Sequence, residues 1–186
     1  VIRSDHCSDE MKERIEGEYP MKKWIGRMAV LLAFVLTLSG STLAAFGKIP
    51  SATKEFYVND YANILSTETE NYIVSKSQNL EKQTGAQIVV VTVENLEGED
   101  LESYATALFR EFGIGDEEED NGLLLLLALE ERESRVEVGY GLEGILPDGK
   151  TGRFQDQYMI PYFKDDNFDE GMLNGYKAFY QDCLLY

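Results

Sequence analysis

The residues best suited to chemistry are oxygen donors that flank one apolar stretch, Asp120 to Asp148, which reads DNGLLLLLALEERESRVEVGYGLEGILPD. Asp120, Asn121, Glu143 and Asp148 offer three carboxylates and an amide, the hard ligands that Ca²⁺ and Mg²⁺ take. Asp60 is a further carboxylate candidate, although it precedes the first helix and should lie at the opposite end of a sheet. A divalent ion held by such a set could position a phosphate for attack by water. Lys150, Arg153 and Arg132 are the cations that could then steady phosphate charge. The plainer reading of the same acids is solvated turn residues.

The cluster depends on a hairpin. Leu123 to Leu129 is wholly apolar, about the length of a strand buried on both faces. Charged residues follow, and Arg135 to Tyr140 then alternates polar and apolar, as a half-buried strand does. Two strands with a short polar connection fold back on each other. Asp120 and Asn121 should therefore meet the segment from Gly141 to Asp148. The acidic run from Asp116 to Asp120 reads either as a solvated, mobile loop or as a cation-attracting lip on that site.

Other segments supply the frame. Phe56 to Leu65 suggests a short edge strand or ordered arm. Thr67 to Glu70 fits a capping box and opens a helix that Gly85 ends. Ala86 to Val93 is β-branched and apolar, a second buried strand. Leu101, Tyr104, Ala105, Leu108, Phe109 and Phe112 fall on one helical face, with Asp100 as cap. A helix is expected over 152–163 and a last one from Phe168. The sequence thus predicts a mixed sheet of about four strands, one pair forming an antiparallel hairpin, with right-handed crossovers and helices on both faces.

Composition excludes several classes. Met21 to Ala45 has the form of a secretory signal, with Lys22, Lys23 and Arg27 before an apolar core from Met28 to Leu38. Residues 1–20 then read as upstream sequence, 21–45 as the signal, 46–55 as linker and 56–186 as one domain. The chain has 34 acids and 17 bases; six of each fall in residues 1–45, leaving 28 and 11. The remaining net charge of −17 repels nucleic acid and suits cation binding. The single His lies upstream at position 6, and Cys183 is the one cysteine after the signal. A Ser-His-Asp triad, a Cys-His pair and a His zinc site are thereby removed from residues 46–186.

One motif match is set aside. Gly144 to Thr151 satisfies GxxxxGK[ST], but the strand before it alternates instead of being buried on both faces, and an exported protein has no ready ATP. P-loop nucleotide binding is the weakest of the readings.

The segments VNDYANIL (58–65), GAQIVVVTV (85–93), DNGLLLLLAL (120–129), RVEVGYGLEGILPD (135–148), IPYF (160–163) and FDEGMLNGYKAF (168–179) together resemble the TPM domain family. The resemblance implies a three-layer α/β/α sandwich and an extracytoplasmic location, often with membrane tethering. It implies acid phosphatase activity for the plant type and calcium binding for some bacterial members. The matching acids are Asp60, Asp120, Glu143 and Asp148. Two functions follow as expectations. One is an exported module that binds a divalent cation, Ca²⁺ before Mg²⁺, and serves a membrane or envelope complex. The other is a metal-assisted phosphomonoester hydrolase.

Overall fold

Apolar residues at every position, not every second one, mark the centre of this molecule. The computed structural model describes residues 49–186; the expected upstream segment and signal, residues 1–45, lie outside the described residues. Three strands, β1 (Val58–Asp60), β2 (Gln87–Val93) and β3 (Gly122–Ala128), run parallel in that order, and β4 (Glu133–Val138) closes the sheet antiparallel to β3. All seven residues of β3 are buried. Each leucine there stabilises the fold by roughly 1.5–3 kcal/mol relative to exposure.

The strand period of two divides these side chains between two cores. Ile88, Val90, Leu123, Leu125 and Leu127 pack with helices α1 (Thr67–Thr84), α3 (Asp148–Tyr158), α4 (Ile160–Lys164) and α5 (Phe168–Cys183). Val89, Val91, Leu124 and Leu126 pack with α2 (Leu101–Phe112) through Tyr104, Ala105 and Leu108. The architecture is a three-layer α/β/α sandwich, four helices on one face and one on the other.

This arrangement departs from one expectation. β1, β2 and β3 are parallel neighbours in chain order, yet α1 and α2 lie on opposite faces. The two crossovers must have opposite hands, so only one is right-handed. The preference for that hand comes from strand twist, which biases each crossover without fixing it.

Local chemistry fixes the element ends. The cap of α1 is Ser66, one residue before the expected box, and its hydroxyl accepts from Thr69 N at 3.2 Å. Gly85, at φ 79°, ends that helix in the left-handed conformation glycine tolerates. Asp100 caps α2, accepting from Ser103 N at 2.9 Å. The single helix expected over 152–163 is two, broken at Met159. Pro161 has no N–H to donate to the preceding turn, and its ring crowds that turn. On α5, Gly171 and Gly175 admit Phe163 and Met159; a Cβ at either would meet those side chains at 2.5 Å.

Candidate functional site: an acidic rim where the parallel strands begin

Parallel pairing sets Gln87 opposite Gly122, so the segments before β2 and β3 open onto the same end of the sheet. The fold-back of β4 reaches this end too. Gly139 N donates to Gly122 O at 2.8 Å and Gly141 N to Asp120 O at 2.9 Å. Asp120 Oδ2 accepts from Tyr140 N at 2.9 Å. The approach is too close for side chains: a Cβ on Gly139 would overlap Asp120 O, and one on Gly141 would overlap Glu119 O. The hairpin expectation holds here, and Asp120 is one of its fasteners.

The acidic run is a tied turn. Asp116 Oδ1 accepts from Glu118 N and Glu119 N at 2.9 and 3.2 Å, and Asp116 O accepts from Asp120 N at 2.8 Å. Asn121, 2% exposed, anchors it from below by accepting from Asp116 N at 3.0 Å. The carboxylates of Glu117 and Glu119 are left on the surface.

Beside this turn an open cleft of about 660 Å³ runs between the end of α1 and the start of β3. Glu81, Gln87, Asp116, Glu117, Glu119 and Asn121 line it, with Tyr186 at its margin, and among the described residues no Lys or Arg does. Glu81 accepts from Gln87 Nε2 at 2.8 Å and from the Tyr57 hydroxyl in a short hydrogen bond. Gln87 Oε1 in turn accepts from Gly115 N at 2.7 Å. Burial, reinforced by the Glu81 carboxylate, pushes the Tyr57 hydroxyl up to about 12. Tyr57 therefore stays a neutral donor to Glu81.

The other residues singled out from sequence lie elsewhere. Asp60 ends β1 opposite Thr92, near the far end of β2, about 20 Å from Asp120 at roughly 3.3 Å per residue. Its carboxylate is occupied by Ile64 N at 3.2 Å, Leu65 N at 2.8 Å and the Thr92 hydroxyl. Glu143 and Asp148 face solvent. They follow the turn at Tyr140–Leu142, after Leu142 and Leu146, which are buried in the helical core. Among the described residues, no three His, Cys, Asp or Glu side chains stand together as a metal-holding group. The five-oxygen cluster expected from sequence thus keeps Asp120 and Asn121 at one rim and does not gather Asp60, Glu143 and Asp148 with them.

The proposed phosphate cations do not converge either. Arg132, in the β3–β4 turn at the opposite end, pairs with Asp166 at 2.7 Å, donates to Phe163 O at 2.7 Å and lies over the Phe168 ring. Lys150 pairs with Asp182 at 2.7 Å and donates to Ile145 O at 3.0 Å. Arg153 follows one turn later on α3. Gly149 and Lys150 sit inside the first turn of α3 after an antiparallel strand, not in a phosphate-cradling loop. Burial, with the nearby Asp182 carboxylate, pushes the Cys183 thiol up to about 12, so it is no nucleophile.

Sequence reading missed Glu81, Gln87 and Tyr57. A signal existed: Gln87 is a polar residue opening an otherwise apolar strand, and Glu81 sits one turn from the Gly85 stop.

Fold and rim together define an α/β/α sandwich with an acid-lined strand-start cleft. The chain belongs to the TPM domain family, whose model matches residues 58–182. It is similar in structure to the N-terminal domain of a protein from P. gingivalis, with 37% identity and a TM-score of 0.64; the match covers 69% of this chain and 82% of that one. BA42 protein from the psychrophilic bacterium Bizionia argentinensis shares the fold at 22% identity and TM-score 0.56, over 67% and 84% of the two chains. So does the N-terminal domain of the cg2496 protein from Corynebacterium glutamicum, at 19% and 0.53, over 72% and 86%. No curated protein matches the chain. Among the described residues, no helix is long and apolar enough to cross a membrane.

Proposed function

We propose that this TPM domain is an exported module that binds a divalent cation, Ca²⁺ ahead of Mg²⁺, and serves a membrane or envelope complex without hydrolytic turnover. The observation that carries the reading is the strand-start cleft. Glu81, Asp116, Glu117 and Glu119 line it together with the amides of Gln87 and Asn121, and among the described residues its lining contains no Lys or Arg. This is an all-oxygen donor set suited to a hard ion. With no three carboxylates gathered among the described residues, and with Glu81 and both amide oxygens already accepting hydrogen bonds, the exposed Glu117 and Glu119 would carry the ion, and backbone and water oxygens would complete the coordination. Ca²⁺ accepts such irregular shells more readily than Mg²⁺, which demands near-octahedral geometry. Export rests on the basic and apolar segments of residues 21–45.

Metal-assisted phosphate hydrolysis is the competing reading. Engagement of Lys150 and Arg132 in ion pairs outside the cleft speaks against it. Thermal unfolding of the full chain with Ca²⁺, Mg²⁺ or EDTA separates the two, run beside hydrolysis of a chromogenic phosphate. Ca²⁺ at a hundred times its dissociation constant should stabilise by about 2.7 kcal/mol. Glu117→Gln with Glu119→Gln, both exposed, should weaken that response without lowering the metal-free melting point. Cation-dependent hydrolysis, or no response to either ion, overturns the proposal.

A further inference from the structure

The two edges of the sheet are not equally guarded. On β1, the outward carbonyl of Val58 accepts from the Thr53 hydroxyl at 3.1 Å, and the Asn59 side chain accepts from Thr53 N at 2.6 Å. The arm before β1 thus shields that edge. β4 has no such cover. Its inward groups follow from Gly139 N donating to Gly122 O, so Ser134, Val136 and Val138 turn their N–H and C=O groups away from β3. No described main-chain group pairs with them outside the sheet. No residue of β4 is fully buried, against all seven of β3. Tyr140, 77% exposed, lies two residues beyond its end.

Charged side chains on an edge strand usually prevent strand-to-strand association. Here their signs alternate as Glu133, Arg135, Glu137. Consider a second copy of β4 laid antiparallel about Val136. Val136 faces Val136, Ser134 faces Val138, and these are the residues whose main-chain groups point outward. Three such pairs give about six main-chain hydrogen bonds, two per pair. In the same register Arg135 faces Glu137 of the second copy, and Glu137 faces its Arg135. These fall at the non-hydrogen-bonded positions, where side chains approach most closely. Shifting the centre to Arg135 would set Arg against Arg and Glu133 against Glu137. Both registers pair the outward main-chain groups, and only the one centred on Val136 also matches the charges. Arg135 pairs with Glu137 of its own strand at 2.9 Å and with Glu102 of α2 at a longer 3.6 Å, and the facing Glu137 of a second copy would compete for its planar fork with the exposed Glu102.

We propose that the open edge of β4 is a self-complementary docking surface, on which a second copy of this chain pairs antiparallel about Val136 to join two four-stranded sheets into one. The contact is isologous and closes on itself. It lies on β4, away from the acidic cleft, and stands independently of cation binding. The net charge of −17 opposes association at long range but is screened beyond about 8–10 Å at ordinary ionic strength. The pairing is local enough to survive it.

Sedimentation of the full chain over a dilution series tests this, with thermal melts confirming that each variant folds. The wild type should show a monomer–dimer equilibrium. Glu137→Arg should shift it at least tenfold toward monomer, by setting Arg against Arg across the contact. The double swap R135E with E137R should restore the dimer, since opposite charges face each other again. Ser134→Pro, which removes an N–H the monomer does not use, should also favour monomer. A wild type that stays monomeric at every concentration overturns the proposal, as does a dimer that ignores the single swap or is not recovered by the double one.

Discussion

The two ends of the sheet use their aspartates differently. At the end where the parallel strands finish, Asp60 gives both carboxylate oxygens to Ile64 N, Leu65 N and the Thr92 hydroxyl. At the end where they begin, Asp120 gives one oxygen to Tyr140 N, and Asp116 gives one to two amides of its own turn. Glu117 and Glu119 beside them remain exposed. An acid is free for a ligand only where the local chain has left it without an N–H to satisfy. Counting carboxylates near a strand end therefore overstates a site, and subtracting those that fasten turns gives a better estimate.

The largest effect should come from the clasp itself. Gly139→Ala would drive a methyl into the Asp120 carbonyl oxygen, a backbone atom that cannot swing aside. The hairpin and the acidic turn would have to separate, at a cost of about 3 kcal/mol or more. A fall in the urea midpoint at unchanged slope measures it. A loss below about 1 kcal/mol would mean that the two segments are not held together as described. Asp60→Ala comes next. It strands two amides and a hydroxyl near the sheet's other end, at about 2–3 kcal/mol, and Asp60→Asn should recover part of this. Neither Asp60 change should alter a Ca²⁺-induced rise in melting temperature, since Asp60 lies at the other end of the sheet from the cleft. If Asp60→Ala abolished that rise in a folded protein, the assignment of the two ends would be reversed.

How far the sequence disclosed all this depended on the kind of signal. The leucine run and its alternating partner predicted β3 and β4 because burial on two faces and on one leaves different patterns. The apolar face of α2 was equally plain, and Gly85 marked the end of α1. Asp120 and Asn121 were placed at the right rim because a hairpin has only one way to return. Where Glu143 and Asp148 lie was less legible, since the turn at Tyr140–Leu142 obeys the burial of Leu142 and Leu146 in a core built by distant helices, and among the described residues no three carboxylates gather. The hand of the crossovers and the Glu81–Gln87–Tyr57 network were hidden for a related reason. Both depend on which strands become neighbours, and no local periodicity encodes that.

The smallest effect sharpens the contrast at the Asp60 end. Glu70 lies in the first turn of α1, where the helix dipole ordinarily favours a carboxylate. Its carboxyl is nevertheless raised above the usual 4.5, chiefly by burial and then by repulsion from Asp60, Asp169 and Glu55. A raised acid binds its proton more tightly in the folded chain than in the unfolded one. Stability must then fall as pH rises from the unfolded-state value through the folded-state one, and the deficit persists at neutral pH. Glu70→Gln removes the charge and the deficit, so it should stabilise the protein at pH 7. Solvent screening at this partly exposed position keeps the gain below about 1 kcal/mol. Melts of both proteins from neutral to acid pH should converge as Glu70 takes up its proton. A variant less stable than the wild type at pH 7 would show that the dipole outweighs the neighbouring acids, and that this end of the sheet holds a charge it tolerates.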